Sequence, residues 1–217
     1  MSEVTSSLEE AGLVPVIAID DAENAVPLAR TFQEAGLPVA EITFRTQAAE
    51  EAIRAIAREV PEVLVGAGTV LTVAQVQSAL SAGASFIVSP GFNPKVVDYC
   101  VENGIPVVPG INNPTGIEMA LDRGLSRVKF FPSEASGGLT MLKAMSAPYG
   151  NVQFMPTGGV KLHNLGEYLQ APMVFAVGGS WVATKDLIAR KDFDEIGNRV
   201  REAVAVVKKI RGGGTNV

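Results

Sequence analysis

The chain alternates between short apolar runs rich in β-branched residues and longer segments in which apolar positions recur every three or four residues. The short runs predict buried strands, and the longer segments predict amphipathic helices that pack one face against those strands. The longer segments include Ala22–Ala35, Val73–Ala82, Pro94–Asn103, Gly116–Arg123 and Gly138–Met145. The predicted strands are Pro15–Ile19, Val39–Phe44, Val63–Thr69, Ser85–Pro90, Val107–Pro109, Arg127–Pro132, Gln153–Thr157 and Val174–Gly178.

Glycines mark the ends of four predicted helices. Gly36, Gly83, Gly104 and Gly124 each stand just before a predicted strand, where glycine can adopt the left-handed conformation that ends a helix. The last three are 21 and 20 residues apart, a spacing that suits a repeated strand–helix unit. Eight such strands predict a single (β/α)8 TIM barrel with an N-terminal helical extension, and an open doubly wound sheet is the alternative.

No linker divides the chain, so we expect residues 1–217 to form one domain, with a disordered tail at residues 212–217. Hydrophobic residues make up 47% of the chain and charged residues 19%, a globular balance that can fill a large buried sheet. No apolar run approaches the ~18 residues of a membrane span, and the polar, acidic N-terminus is unlike a signal peptide. We therefore expect a cytoplasmic protein without a membrane partner.

Charge and rare residue types argue against several functions. The formal net charge is −5 and no basic run is present, so we expect no nucleic-acid partner. Cys100 is the only cysteine and His163 the only histidine, too few for a disulfide or for the common zinc sites. We expect no metal and no other cofactor, with Cys100 packed in a helix and His163 exposed at a helix start.

One lysine stands inside a predicted strand. Lys129 lies in the apolar run Arg127–Pro132, and alternation along a strand puts Phe131 on the same face. Burial there disfavours the charged ammonium form, and a neutral amine is what Schiff-base chemistry with a carbonyl substrate requires. The alternative is a lysine whose head reaches solvent from the strand end.

A second predicted strand carries polar residues at alternate positions. Glu41, Thr43 and Arg45 would share the face that points to the barrel axis, where charges are costly unless they pair or bind a ligand. Glu41 could move protons, while Arg45 could clamp a carboxylate with help from Thr69 at the end of the next strand. The alternative is a buried Glu41–Arg45 pair without a function.

The last two predicted strands end in glycine pairs, Gly158–Gly159 and Gly178–Gly179, and Ser180 follows the second pair. Glycine lets backbone N–H groups approach an anion closely, and barrels of this type usually bind phosphate in these two loops. Together, the lysine, the carboxylate clamp and the phosphate loops favour cleavage of a carbon–carbon bond in a phosphorylated 2-keto acid.

The order of the motifs resembles the bacterial 2-keto-3-deoxy-6-phosphogluconate (KDPG) aldolase family, whose members often also act on 4-hydroxy-2-oxoglutarate (KHG). The similarity runs from about Val14 to Trp181. It is carried by Pro15–Ile17, Glu41–Thr46, Gly66–Val70, Ser89–Gly91, Pro109–Gly110, Lys129–Pro132, Pro156–Gly159 and Gly178–Trp181.

This resemblance implies a class I aldolase that cleaves KDPG to pyruvate and glyceraldehyde 3-phosphate, and KHG to pyruvate and glyoxylate. It implies a metal-free homotrimer in which Lys129 forms the Schiff base and Glu41 is the acid/base. The substrate contacts expected from it are Arg45, Thr69, Pro90, Phe131 and Thr157. The phosphate contacts expected from it are Gly158, Gly159, Gly179 and Ser180.

The chain departs from the family pattern in two places. Ser133–Ser136 reads Ser-Glu-Ala-Ser where many relatives have Ala-Glu-Ala-Asn, and Ala18–Asp20 lacks a basic residue that some relatives carry. The pair Arg45–Thr46 argues against the galactonate-type branch of the family. A sugar-phosphate isomerase or epimerase and a non-catalytic sugar-phosphate sensor are the other hypotheses.

Overall fold

The structure is a computed structural model and describes residues 3–212. Strands and helices alternate along this range. Its strands are β1 (Leu13–Ile17), β2 (Val39–Thr43), β3 (Leu64–Gly68), β4 (Ile87–Val88), β5 (Val107–Val108), β6 (Gly110–Ile111), β7 (Arg127–Phe130), β8 (Gln153–Pro156) and β9 (Val177–Gly179). Its α-helices are α1 (Glu3–Ala11), α2 (Ala25–Glu34), α3 (Ala49–Glu59), α4 (Val73–Ser81), α5 (Pro94–Glu102), α6 (Pro114–Leu121), α7 (Gly138–Ser146), α8 (Leu162–Gln170), α9 (Lys185–Ala189) and α10 (Phe193–Gly212). Short 3-10 helices cover Ala22–Asn24 and Glu134–Ser136.

The prediction of a closed eight-stranded barrel is wrong. The nine strands within residues 3–212 form two parallel sheets, one with the order β5-β4-β3-β2-β1-β9 and one with the order β6-β7-β8. In the part of the chain that the structure describes, two isolated bridges, Phe154–Val174 and Thr157–Gly178, join the β8 region to the β9 region. The architecture is a related (β/α) arrangement built from two sheets, and no continuous ladder of eight strands closes on itself among the described residues.

The ladder is interrupted between β5 and β6 and again between β8 and β9, and a proline explains the first interruption. The predicted fifth strand, Val107–Pro109, divides at Pro109, which has no N–H to donate to a strand ladder. The two residues before it pair with β4, while Gly110 and Ile111 pair with β7. The carbonyl oxygen of Pro109 still accepts a hydrogen bond from the Lys129 N–H at 2.9 Å. The proline therefore transfers the chain from one sheet to the other.

The predicted helix ends are confirmed. Gly36, Gly83, Gly104 and Gly124 all have a positive φ, between 66° and 100°, and each follows a helix after one or two residues of a closing turn. Apolar faces of the helices meet the strands in one buried cluster that includes Phe32, Phe86, Phe130, Phe154 and Phe175. The predicted tail lies outside the described residues, apart from Gly212, which ends α10. No helix within residues 3–212 is long and apolar enough to cross a membrane.

All strand pairs are parallel, so the carboxyl ends of the strands of each sheet lie at the same edge. Glu41 in β2 is in register with Val16 and Gly66, and Lys129 in β7 is in register with Gly110 and Met155. The side chains of these two residues meet in the interior, which connects the two sheets at the candidate site.

Candidate active site

Lys129 and Glu41 form a buried pair at the centre of the molecule. The Lys129 Nζ atom lies 3.3 Å from Glu41 Oε1, and the two side chains are 5% and 0% exposed. Glu41 Oε2 is also buried and accepts no hydrogen bond from any described residue. An amine beside a carboxylate that keeps one free oxygen can exchange protons with a third group, such as a substrate hydroxyl or a water molecule.

Glycines in β3 make room for this pair. A Cβ atom on Gly68 would lie 2.1 Å from Glu41 Oε1, so any larger residue there would displace the carboxylate. A Cβ atom on Gly66 would lie 2.4 Å from the ring of Phe86. The glycines of the Gly66–Gly68 run thus have a packing reason: they let β3 lie directly against the Glu41 side chain and a core phenylalanine.

An aromatic ring lies near the lysine and lines an open cavity. The Lys129 Nζ atom is 5.5 Å from the centre of the Phe131 ring. Phe131 is half-buried and lines a cavity of about 670 Å³ together with Pro90, Gly110 and Asn112. Gly110 packs against Pro90, since a Cβ atom there would lie 2.3 Å from the Pro90 carbonyl. Pro90 and Phe131 therefore line the same cavity, and Phe131 connects that cavity to the lysine.

Arg45 and Thr69 follow the ends of β2 and β3. Arg45 is exposed in the turn after β2, and its guanidinium makes no ion pair or hydrogen bond within residues 3–212. The alternative of a buried Glu41–Arg45 pair is therefore wrong, because Glu41 faces Lys129 instead. Thr69 comes directly after β3 with φ of 55°, an unusual conformation for a β-branched residue. Such backbone strain is common where a side chain is held for a function.

The two glycine pairs come together at one edge. Thr157 is buried, bridges to Gly178 and packs so closely that a Cβ atom on Gly178 would lie 2.2 Å from Thr157 Oγ1. Gly158 and Gly159 follow it with φ values of 96° and 87°. Gly179 packs against the Trp181 ring, and Ser180 between them is exposed. The loops after β8 and β9 are thus neighbours, and Ser180 adds one exposed hydroxyl beside them.

Sequence reasoning missed a hydrogen-bonded group next to this edge. Ser133, Glu134 and Tyr168 form a chain of hydrogen bonds behind the Gly158–Gly159 turn. The sequence singled out Ser133 only as a departure from the family pattern, and it carries no signal for Tyr168. Tyr168 lies 34 residues from Glu134 in the chain, and only the folding of α8 onto this loop brings them together.

The two rare residue types have the surroundings that the sequence predicts. Cys100 is buried in α5, and burial raises the pKa of its thiol to about 11. His163 is exposed near the start of α8. Among the described residues, no three His, Cys, Asp or Glu side chains lie close enough to hold a metal ion.

Comparison with known proteins decides the family. The family model of the KDPG and KHG aldolases matches residues 4–199. The chain belongs to this family. The protein is therefore an aldolase, an enzyme of the carbon–carbon lyase class.

Several named relatives of this aldolase are similar over almost their whole length. The 2-dehydro-3-deoxy-phosphogluconate aldolase of Haemophilus influenzae is 51% identical over 206 residues, which cover 95% of this chain and 97% of the relative. The KHG/KDPG aldolase of Escherichia coli K12 is 42% identical over 203 residues, or 94% and 95% of the two chains.

Solved structures show the same similarity. The Legionella pneumophila KDPG aldolase, crystallised with pyruvate captured as a covalent carbinolamine intermediate, is 35% identical with a TM-score of 0.90 over 93% of this chain and 98% of its own. A KDPG aldolase from Zymomonas mobilis is 38% identical with a TM-score of 0.89, over 94% and 98% of the two chains. A KDPGal structure is less similar, at 26% identity and a TM-score of 0.83 over 92% and 96%.

Proposed function

We propose that this aldolase cleaves KDPG to pyruvate and glyceraldehyde 3-phosphate through a Schiff base on Lys129, and that it also cleaves KHG to pyruvate and glyoxylate. The observation that carries the proposal is the buried contact between Lys129 Nζ and Glu41 Oε1 at 3.3 Å. The ring of Phe131, which lines an open cavity, lies near the same lysine. The covalent carbinolamine with pyruvate in the Legionella relative supports the same chemistry. Identities of 51% to 42% with named KDPG and KHG/KDPG aldolases, against 26% with the KDPGal structure, favour the gluconate substrate.

In the proposed mechanism, the Lys129 amine attacks the C2 keto carbon, and loss of water from the resulting carbinolamine leaves an iminium. The iminium accepts the electron pair of the C3–C4 bond when that bond breaks, which gives an enamine of pyruvate and an aldehyde. The proton of the C4 hydroxyl leaves as the aldehyde forms. Protonation at C3 followed by hydrolysis then releases pyruvate and regenerates the amine.

Glu41 is the group proposed to move these protons. Its Oε1 contacts the lysine, while its Oε2 is buried and has no partner among the described residues. A carboxylate in that arrangement can take the C4 hydroxyl proton, directly or through one water molecule, and return a proton at C3. Because water is excluded around the pair, its electrostatic effect on the reacting atoms is larger than it would be in solvent.

The remaining candidate residues surround the two ends of the substrate. Arg45, exposed and free of other ion pairs among the described residues, is proposed to bind the carboxylate of the pyruvyl part together with Thr69. Pro90, Phe131 and Thr157 are proposed to line the substrate between its ends.

The phosphate of KDPG is proposed to bind at the turns after β8 and β9, through the backbone of Gly158, Gly159 and Gly179 and the hydroxyl of Ser180. The positive φ values of Gly158 and Gly159 and the exposure of Ser180 support this assignment. Independence from metals and other cofactors, assembly as a homotrimer and a cytoplasmic location stay predictions.

Trapping with pyruvate and borohydride tests the proposal. Reduction should fix one pyruvate-derived adduct per chain, and peptide mapping should find it on Lys129. The Lys129→Arg variant should give no adduct and no turnover, because a guanidinium stays protonated and forms no imine. Lys143→Arg is the matched control, since Lys143 is exposed on α7, and it should trap and turn over like the parent enzyme. An adduct on another lysine, or none, would contradict the proposal.

A further inference from the structure

The segment after the lysine strand contains a buried tyrosine that the proposed mechanism does not use. Tyr168 is 2% exposed, and its hydroxyl donates a hydrogen bond to Glu134 Oε1. Burial, followed by the hydrogen bond to Glu134, raises the pKa of Tyr168 to about 12, so the phenol stays protonated at neutral pH. Its only proton is given to Glu134, and the fully buried Ser133 must therefore donate to the phenol oxygen across their 2.9 Å contact.

This chain of hydrogen bonds holds the turn that contains the first glycine pair. The Ser133 N–H donates to the Thr157 carbonyl at 2.7 Å, and the Glu134 N–H donates to the Gly158 carbonyl at 3.0 Å. The stem of Glu134 covers Gly159, because a Cβ atom built on that glycine would lie 2.5 Å from Glu134 Cβ. On its other side, Gly158 faces the Phe131 ring. The turn is thus in contact with Phe131 at Gly158 and, at Gly159, with the Glu134 side chain that Tyr168 fixes.

A turn of two glycines needs such external support. Glycine has the largest conformational freedom of all residues, so holding Gly158 and Gly159 at single positive φ values costs more entropy than it would for other residues. Backbone N–H groups bind an anion well only if they are held in place before it arrives. The hydroxyl of Tyr168, acting through Glu134, supplies that constraint from α8, the helix that immediately follows the turn.

We infer that Tyr168 is a positioning residue for the phosphate end of the substrate, which it serves by fixing Glu134 over the Gly158–Gly159 turn. The inference rests on the proposed function, since it requires that this turn binds the phosphate of KDPG. It assigns to Tyr168 an effect on binding of the phosphorylated substrate and none on Schiff-base formation, because Tyr168 contacts neither Lys129 nor Glu41 through a hydrogen bond.

The Tyr168→Phe variant tests this role, because it removes one hydroxyl and keeps the ring in the core. KM for KDPG should rise about tenfold, the size expected for the loss of a hydrogen bond to a charged group. KM for KHG and the rate of pyruvate trapping on Lys129 should change much less, because neither involves a phosphate. Hydrogen exchange of the backbone amides around Gly158 should become faster in the free enzyme.

Two further variants control for the chemistry of the bond. Tyr149→Phe removes a similar hydrogen bond, 3.0 Å from Tyr149 to Glu118, on the exposed surface, and should leave both KM values and loop exchange unchanged. Glu134→Gln retains an oxygen that accepts from Tyr168 and should keep loop exchange near that of the parent enzyme.

The outcomes separate the inference from the proposed function. Unchanged loop exchange in Tyr168→Phe, or a lower melting temperature with both KM values unchanged, would overturn the positioning role. Faster hydrogen exchange around Gly158 together with equal rises in KM for KDPG and KHG would also overturn it, since the turn would then be positioned for something other than phosphate. Ser180→Ala tests the phosphate site independently, and it should raise KM for KDPG but not for KHG. If Ser180→Ala leaves KM for KDPG unchanged while Tyr168→Phe raises it selectively, only the assignment of Ser180 is wrong.

Discussion

The contact between Lys129 and Glu41 contributes little to the stability of the fold. Both side chains are almost completely removed from water, and the cost of removing two charges from water consumes most of their mutual attraction. Glu41 also leaves one buried oxygen without a partner within residues 3–212, which is unfavourable for a purely structural pair. A pair that stabilises the fold so poorly is explained by its chemistry, which supports the catalytic roles proposed for both residues.

We predict that Glu41→Gln separates proton transfer from binding. The amide keeps the shape of the side chain but cannot accept a proton, so kcat for KDPG should fall by about 10²–10⁴-fold. The melting temperature should also fall, since Lys129 loses its counter-charge in the interior. Steady-state kinetics and thermal unfolding should be measured on the same sample. Glu62→Gln is the control, because Glu62 is exposed in a turn.

A structural role alone would give another result for Glu41→Gln. The variant would unfold at a lower temperature, yet each folded molecule would turn over KDPG at nearly the normal rate. That combination would remove Glu41 from the proposed mechanism while leaving the assignment of Lys129 untouched.

At the scale of single elements, helix ends depend on glycines that cannot be replaced without strain. Gly104 follows α5 with φ of 66°, and a Cβ atom there would meet no other atom within 4 Å. A substitution at this position therefore reports the backbone conformation and nothing else. The same geometry recurs after α2, α4 and α6, which makes it a property of the repeated unit.

We predict that Gly104→Ala lowers the free energy of unfolding by about 1 kcal/mol. The left-handed conformation costs an alanine about 1–2 kcal/mol, and the smaller entropy of the unfolded chain offsets part of this cost. Gly150→Ala is the matched control: Gly150 is also surrounded by open space but has no positive φ. That variant should be neutral or slightly more stable in urea unfolding. Equal effects of the two variants would contradict the explanation from backbone conformation.

At the scale of the whole molecule, Arg127 ties the first helix to the second sheet. It lies at the start of β7, its side chain is 8% exposed, and it binds Glu9 and the Thr5 carbonyl of α1. Its guanidinium also lies 4.9 Å from the centre of the Phe175 ring. Arg127 shares the strand of Lys129 but lies at its first position, where its side chain contacts α1, so its role is to hold α1 against the start of β7.

We predict that Arg127→Met lowers the free energy of unfolding by about 2–3 kcal/mol, because it removes several hydrogen bonds made by a mostly buried cation. The loss is limited because Glu9 is 41% exposed, so water can hydrogen-bond to its carboxylate in the variant. Loss of activity should be small, because the hydrogen bonds of Arg127 to Thr5, Glu9 and Gln153 involve none of the proposed site residues. Arg190→Met is the control, since Arg190 is 64% exposed in its pair with Asp186 and should contribute less than about 1 kcal/mol. A large loss of kcat without loss of stability would contradict this assignment.

Local patterns in the sequence were sufficient for most of the elements and for the chemical types in the site. Apolar runs bounded by turn residues predicted strands because a strand buried on both faces is apolar at nearly every position. The glycine C-caps were predicted because the left-handed conformation that ends a helix depends on the residue at that one position. Lys129 and Glu41 were recognisable because charged residues inside apolar strands are costly and therefore rare. The glycine pairs were recognisable by their place after the last two strands.

Only the tertiary structure decided how these elements join. The break of the predicted fifth strand at Pro109 and the two bridges between β8 and β9 depend on which strands lie next to each other, which strand periodicity does not record. The partner of Glu41 is Lys129, 88 residues away in the chain, and not Arg45, which alternates with Glu41 along the same short segment. The link from Tyr168 through Glu134 to the glycine turn is likewise a contact between distant segments. Such contacts follow from the packing of α8 onto the loop after β7, and local sequence carries no record of that packing.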